Sequence, residues 1–208
     1  MQDFDPKDLR KLYRSPKDSH KGQNGRLLVI GGSELFHAAS MWSAEIASRI
    51  VDMVFYASVP INEAIVKKQK ERFHDGIVVP EGEIEDYLNE SDAVLIGPGM
   101  ERIKETADKT NRLLKKYPDK RWVIDGGALQ MMDKNLLTKT MIVTPHIKEF
   151  KRLFGVDRNG EMVKKMAKKY GCTIVLKGPT DTICDSSRCV LNHTGNEGMT
   201  KGGTGDVL

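Results

Sequence analysis

The residues best placed to do chemistry stand at 195–208, where Gly202-Gly203-Thr204-Gly205 run straight into a single acid, Asp206. Gly195, Asn196, Gly198, Gly202, Gly203 and Gly205 all lie in this stretch, and these residue types accept positive φ and let a ligand approach bare backbone. Val207-Leu208 reads as the first apolar residues of a helix. A glycine turn opening into a helix gathers unpaired N–H groups at the positive end of the helix dipole, which suits a phosphate. An acid beside such a turn can accept a proton while the N–H groups hold the phosphate, so the pattern points to chemistry on a phosphate ester. The alternative is a flexible glycine-rich end. Lys201 and Asp206 bracket the glycines, whereas a linker would carry Ser or Pro.

Further candidates are spread along the chain. Gly31-Gly32-Ser33, Gly97-Pro98-Gly99, Asp125-Gly126-Gly127, Thr144-Pro145-His146 and Lys177-Gly178-Pro179-Thr180 each follow a short apolar run. Lys177, emerging from such a run, would neutralise phosphate, or it is a surface lysine at a strand end. His146 is placed for ligand contact, although a lone His more often serves as a structural hydrogen-bonding group. Asp125 reads better as a helix cap than as a catalyst. Gly97-Pro98-Gly99 suits a tight turn as well as a substrate-facing backbone. His20-Lys21-Gly22-Gln23-Asn24-Gly25 is either a solvated loop or a segment folded back on the phosphate region.

The elements that must position these residues follow from hydrophobic pattern. Arg26–Ile30, Met53–Ser58, Ala93–Ile96, Arg121–Ile124, Met141–Val143 and Thr173–Leu176 are short, rich in Val and Ile, and closed by Gly, Pro or Asp, as strands buried on both faces are. Helical patterns cover Ala38–Ile50, Ile103–Lys116, Ile147–Phe154 and Glu161–Tyr170. Alternating strands and helices predict an α/β fold with a mostly parallel sheet and helices on both sides. Ile183–Asp185 and Cys189–Leu191, separated by Ser186-Ser187-Arg188, predict an edge hairpin. In a parallel sheet ligands bind beyond the carboxyl ends of the strands, which is where the five polar turns would gather.

Composition narrows the classes. The 208 residues are 39% hydrophobic and 30% charged with a net charge of +4, which fits one globular domain with a hydrated surface. The basic residues are dispersed, so no nucleic-acid arm is expected. No apolar run is long enough to span a membrane. Cys172, Cys184 and Cys189 are odd in number and lack metal-ligand spacing; they read as reduced thiols in a cytoplasmic protein.

In order and spacing, the chain from about residue 15 onward resembles the NAD(P)H-hydrate dehydratases of the ribokinase-like superfamily. The resemblance rests on His20-Lys21-Gly22 through Gly31-Gly32-Ser33, Gly97-Pro98-Gly99, Thr144-Pro145-His146, Lys177-Gly178, Gly195-Asn196-Glu197-Gly198-Met199 and Gly202-Gly203-Thr204-Gly205-Asp206. The closing glycine motif is shared more loosely with ribokinase-like kinases, whereas its combination with the other turns is more specific. The resemblance implies a three-layer α/β/α domain over residues 1–208. It also implies repair of NADH or NADPH hydrated at C6 of the nicotinamide ring, with ADP or ATP as co-substrate and Mg²⁺ bridging its phosphates. By that resemblance Asp206 is the base on the C6 hydroxyl, while Gly203, Thr204 and Gly205 offer N–H groups to the transferring phosphoryl group. Ala39, Gly99, His146 and Asp206 contact the hydrated dinucleotide. Lys177, Gly178, Pro179, Thr180, Asp181 and Gly205 contact the adenine nucleotide, and no metal ligand is assigned.

The sequence departs from the family pattern at Phe36-His37-Ala38, Met100-Glu101 and Asp125-Gly126-Gly127, changes that touch the dinucleotide pocket. Family domains also continue through further helices, so the chain is expected to be truncated at its C-terminus. A homo-oligomer and a companion NAD(P)H-hydrate epimerase are implied by resemblance alone. The competing readings are a ribokinase-like kinase for a thiazole or pyrimidine alcohol, and a nucleotide-binding subunit without activity.

Overall fold

The structure, a computed structural model, describes residues 1–69, 76–157 and 159–208. In chain order the strands are β1 (Gln2–Asp3), β2 (Arg26–Ile30), β3 (Met53–Ala57), β4 (Gly76–Val78), β5 (Ala93–Ile96), β6 (Arg121–Ile124), β7 (Met141–Val143), β8 (Thr173–Leu176), β9 (Asp181–Cys184) and β10 (Cys189–Asn192). The α-helices are α1 (Ala38–Ala47), α2 (Pro60–Gln69), α3 (Ile84–Glu90), α4 (Lys104–Lys116), α5 (Gly126–Met131), α6 (Ile147–Phe154) and α7 (Gly160–Tyr170). Short 3-10 turns cover Glu197–Thr200 and Thr204–Val207. The helix expected to begin at Val207 is thus a 3-10 turn that already includes Thr204.

The strands form one sheet in the order β1-β10-β9-β8-β7-β6-β5-β2-β3-β4. All pairings are parallel except those of β9 with β8 and β10. The expected strands and helices are therefore present, together with β1, β4, α2, α3 and α5, which the hydrophobic pattern did not single out. After β2 the chain moves outward to β3, then returns to place β5 on the other side of β2. Ligands in open α/β sheets favour such a switch point, and the turns Gly31–Ser33 and Gly97–Gly99 stand there.

The sheet separates two apolar clusters because successive strand side chains point to opposite faces. Leu28, Ile30, Phe55, Val94, Ile96, Trp122 and Ile124 pack with residues of α3 to α7. Val29, Val54 and Tyr56 pack with Ala44 and Ala47 of α1 and Val66 of α2. Trp122 is fully buried and its indole N–H donates to the Tyr117 carbonyl at 3.0 Å; burying one such side chain contributes about 2–3 kcal/mol. On the second face, Val123, Ile142, Val175 and Ile183 remain half-buried.

Two expectations change here. Cys184 and Cys189 form a disulfide, with 2.04 Å between the sulfurs and 4.2 Å between the Cα atoms. Only Cys172 is free among the described cysteines, and burial pushes its thiol up to about 12. The pair was hidden by register. A hairpin of Ile183–Asp185 with Cys189–Leu191 sets Asp185 opposite Cys189, whereas the strands pair Cys184 with Cys189 and the Asp185 carboxylate turns inward to bind the Ser187 and Arg188 N–H groups. The thiol argument for a reducing compartment falls with it; among the described residues no helix is long and apolar enough to cross a membrane. The His20–Gly25 loop does not reach the carboxyl edge. The Asp52 carboxylate, just before β3, accepts from the N–H groups of Gly22 and Asn24 and holds the loop at the opposite end of the sheet.

Candidate functional site

The carboxyl edge is built from interlocked turns. The Gly97 N–H donates to the Ile30 carbonyl at 2.9 Å, and the Gly32 N–H donates to the Pro98 carbonyl at 2.7 Å. The Gly127 N–H in turn donates to the Gly97 carbonyl at 3.1 Å. Gly97, at φ +118°, has no room for a side chain: a Cβ would lie 1.8 Å from the Asp125 carbonyl oxygen. A buried polar network braces the same edge from below. Asn62, fully buried, donates to the Ser33 carbonyl and to Ser58 Oγ and meets His37 Nδ1 at 2.5 Å. Ser58 donates to the Gly31 carbonyl. Neither carries a sequence signal: Asn62 is a polar residue early in a helix, where such residues are ordinarily solvated, and Ser58 simply follows β3.

Ala39 and Gly99 come together as expected. The space that a Cβ on Gly99 would take is filled by the Phe36 carbonyl oxygen at 3.1 Å and by the Ala39 Cβ and the Gly32 Cα at 3.2 Å, so Gly99 and Ala39 pack together in a tight corner of backbone and methyl. Leu35 and Phe36 are exposed beside it.

His146 caps α6. Its Nδ1 accepts from the N–H groups of Lys148 and Glu149 at 3.1 and 3.3 Å, and the buried Glu149 carboxylate accepts from the His146 N–H at 2.8 Å. An Nδ1 that accepts two N–H groups leaves the ring proton on Nε2, on an imidazole that is 49% exposed. Nε2 lies 3.6 Å from the buried Glu149 carboxylate, with half of the ring open to solvent.

The Lys177 N–H donates to the Pro145 carbonyl at 2.9 Å, setting the lysine beside His146. Its Nζ reaches the Asp125 carboxylate at 2.9 Å, with the two side chains 21% and 11% exposed. The two-residue period of a strand explains the meeting: Val123 and Asp125, like Val175 and Lys177, alternate with the buried Ile124 and Leu176. Here the sequence reading is corrected. Asp125 precedes α5, but its side chain makes no capping hydrogen bond. The second N–H of that helix, from Gly127, is already taken by Gly97, and the carboxylate turns to Lys177 instead. Beyond Lys177, the Gly178 N–H is held by the Asp181 carboxylate at 3.0 Å, and Thr180 Oγ1 meets His193 Nδ1 at 3.1 Å.

The glycine loop folds over this lysine. A Cβ on Gly205 would lie 3.6 Å from Lys177 Nζ, so Gly205 is open to it without strain. Gly203, at φ +94°, sits against Trp42, where a Cβ would fall 2.3 Å from a ring carbon. Ser43 Oγ donates to the Asp206 carbonyl at 2.7 Å, and the Asp206 N–H donates to the Gly203 carbonyl at 3.0 Å. α1 thus carries the loop through Trp42 and Ser43, two residues that the sequence analysis missed. The only cue is their place on the helix that follows the first glycine turn. Of the three expected N–H donors, that of Thr204 points to the Lys201 carbonyl at 3.3 Å. Burial first, and the nearby Asp125 carboxylate second, push the Asp206 carboxyl above its ordinary range, against the opposing pull of Lys177.

Among the described residues no group of three His, Cys, Asp or Glu side chains forms a metal cage. Mg²⁺ commonly keeps several waters and binds through nucleotide phosphates as well as protein carboxylates. An open hollow of about 590 Å³ lined by Arg26, Asp92, Lys120 and Arg121 lies at the opposite edge of the sheet and shares none of these groups.

Against this geometry the likenesses to known proteins are informative. Residues 27–208 match the family described as NAD(P)H-hydrate dehydratase. The chain is 37% identical over 224 residues to the ADP-dependent (S)-NAD(P)H-hydrate dehydratase of Cenarchaeum symbiosum, covering 97% of this chain and 76% of that one. It also matches bifunctional NAD(P)H-hydrate repair enzymes, of whose length it spans about two fifths, 41% in the protein from Methanocaldococcus jannaschii. A ribokinase-like protein from Enterococcus faecalis superposes with a TM-score of 0.89 at 25% identity, over 99% of this chain and 76% of that one. The ADP/ATP-dependent NAD(P)H-hydrate dehydratase of Bacillus subtilis, co-crystallised with ATP and Mg²⁺, superposes with a TM-score of 0.81 at 25% identity, over 99% and 77% of the two chains. The fold is ribokinase-like, and the chain belongs to the NAD(P)H-hydrate dehydratase family.

Proposed function

We propose that this chain uses ADP, or ATP, to dehydrate the S-epimer of hydrated NADH or NADPH and so restore the reduced dinucleotide. The observation that carries this reading is the convergence of Asp206, Lys177 and the Gly203–Gly205 turn at one point of the carboxyl edge, the edge that also carries Gly99 and Ala39. Dehydration needs a leaving group better than hydroxide. Asp206 takes the proton of the C6 hydroxyl as its oxygen attacks the terminal phosphoryl group of the nucleotide. Lys177 and the N–H groups of Gly203 and Gly205 oppose the charge that builds on that group. The C6–O bond then breaks and the C5 proton passes to the departing phosphate, which leaves as hydrogen phosphate and returns the dihydronicotinamide. Mg²⁺ bound to the nucleotide would neutralise phosphate charge.

Ala39, Gly99 and the Nε2–H of His146 hold the dinucleotide in this reading, while Lys177, Gly178, Pro179, Thr180, Asp181 and Gly205 hold the nucleotide. Asp181 would serve mainly by fixing the Gly178 N–H. Residues 1–208 form one dehydratase domain; its matches to bifunctional repair enzymes support a companion epimerase activity on a separate or fused domain. A soluble dinucleotide substrate suits the expected cytoplasmic setting, and assembly into a homo-oligomer rests on the family resemblance. The test is to incubate the protein with hydrated NADH plus Mg²⁺ and ADP, and separately ATP, while following dihydronicotinamide absorbance. A rise with either nucleotide supports the reading. A flat trace with both, or a stable phosphorylated product, overturns it.

A further inference from the structure

The three charged groups at the glycine loop do not balance. Asp125 and Asp206 bring two carboxylates to a place where Lys177 supplies one ammonium. Among the described residues that ammonium pairs with Asp125 and with no other carboxylate, although a Cβ on Gly205, the neighbour of Asp206, would approach it to 3.6 Å. The Asp206 main chain is tied at both ends, its carbonyl to Ser43 and its N–H to Gly203. Its carboxylate is left without a hydrogen bond among the described residues. Among the described residues, α1 meets the loop with the uncharged Trp42 and Ser43, and its Glu45 pairs with Arg49. Lys201, on the loop itself, is exposed.

We propose that Asp125 is a positioning residue that holds the Lys177 ammonium away from Asp206, so that the Asp206 carboxylate stays unpaired and able to accept a proton. The assignment rests on the function proposed above. A lysine released from Asp125 still has the Asp206 carboxylate within reach of its charge. An ion pair there stabilises the carboxylate, lowers its proton affinity and weakens it as a base. With Asp125 in place, two anions share one cation and the uncompensated charge falls on Asp206. The raised proton affinity of Asp206, to which Asp125 contributes and which Lys177 opposes, agrees with that division.

The experiment measures kcat against pH for the wild type, Asp125→Asn, Asp125→Glu and Lys177→Met, alongside a ¹³C NMR titration of the Asp206 carboxyl carbon without substrate. Asp125→Asn should move the acid limb of kcat about one pH unit lower and reduce the plateau about tenfold. Lys177→Met should move the limb higher, because the one neighbouring cation is lost. Asp125→Glu, which keeps a carboxylate, should bring the limb back toward the wild type. Opposite shifts in Asp125→Asn and Lys177→Met are the signature. A merely structural Asp125 would lower thermal stability and leave the limb where it was, and that result overturns the proposal. If Asp125→Asn fails to fold, an unmoved limb in Lys177→Met overturns it equally. The NMR titration reads the same shifts without turnover. A protein inactive with both nucleotides but showing the opposite Asp206 shifts would sink the dehydratase reading and leave the charge arrangement standing. An active protein whose Asp206 titrates identically in all variants would do the reverse.

Discussion

The turns at the β2–β5 switch point and the glycine loop at 195–208 both offer backbone to a ligand, yet they are held in opposite ways. Gly31–Ser33 and Gly97–Pro98 are buried, cross-linked by backbone hydrogen bonds and braced by the Asn62 network. Residues 193–202 are exposed throughout, and their recorded hydrogen bonds are largely to near neighbours. The loop meets the rest of the protein mainly through Trp42, Ser43 and Lys177. A pocket for a large dinucleotide gains from rigidity, since a preformed surface costs no ordering on binding. A phosphate cradle that must admit one nucleotide and release another gains from being lightly held, and lids and ligand loops are drawn from the less stable parts of proteins.

The sharpest way to break this contrast is a methyl group. Gly97→Ala forces a positive-φ residue against the Asp125 carbonyl and should cost about 4 kcal/mol or more, enough to lose the folded protein. Gly205→Ala should leave the melting temperature nearly unchanged and alter only nucleotide affinity. Thermal unfolding followed by circular dichroism separates the two, and equal losses would erase the distinction.

Asp206→Asn comes next. kcat should fall about 10²–10⁴-fold with the fold intact. The sign of its stability effect follows from its raised proton affinity. A carboxyl held above its unfolded value favours folding in its protonated form and opposes it once ionised. Wild-type stability should therefore decline as pH rises through that raised value, Asp206→Asn should be no less stable at neutral pH, and wild-type activity should rise over the same interval. A clear drop in melting temperature for Asp206→Asn would assign the residue a structural role.

A third test stays within the loop. Gly203→Ala places a methyl into the Trp42 ring at a positive φ, a strain of about 1–2 kcal/mol, so the nucleotide KM should rise about tenfold. Trp42→Ala in the same chain should recover part of that rise by opening space. No recovery would mean that Trp42 does not carry the loop.

Smaller effects are expected at the caps and the surface. His146→Ala removes an N-cap and should cost about 1 kcal/mol, whereas His146→Asn should keep the cap and lose only dinucleotide affinity. Far from both regions, Arg112, Lys116 and Tyr117 bind the Glu85 carboxylate and hold it at about 2, below its usual 4.5. What that site contributes is present above pH 4.5 and lost as pH falls toward 2, and Glu85→Gln should change stability by no more than about 1 kcal/mol. A larger effect would show that a surface ion cluster rivals the buried turns.

Much of the sheet was legible because β2, β5, β6, β7 and β8 are runs of apolar, largely β-branched residues closed by turn formers, a signal that survives without tertiary context. β4 is three residues long and β1 two, too short for any period to register. The site was legible wherever a residue type is demanded by local backbone, as at Gly97, or by family motif, as at Asp206. It was not legible where the role depends on what another strand delivers. Asp125 looks like a cap until Lys177 arrives from two strands away, and Cys184 looks like a lone thiol until the hairpin register slips by one position. Trp42 and Ser43 matter only because a loop more than 150 residues later rests on them.

The outermost strand carries a consequence for synthesis. Gln2 and Asp3 pair with Val190 and Leu191, so β1 finds its partner only after every strand between them in the chain has been made. At about 5–20 residues per second, that wait is on the order of ten to forty seconds. During it β1 has no partner strand, but when the Cys189–Asn192 strand emerges β1 is already there to cover an edge at which another chain could pair. β1 is thus an early-made guard that waits for its strand, and the wait falls on the nascent protein.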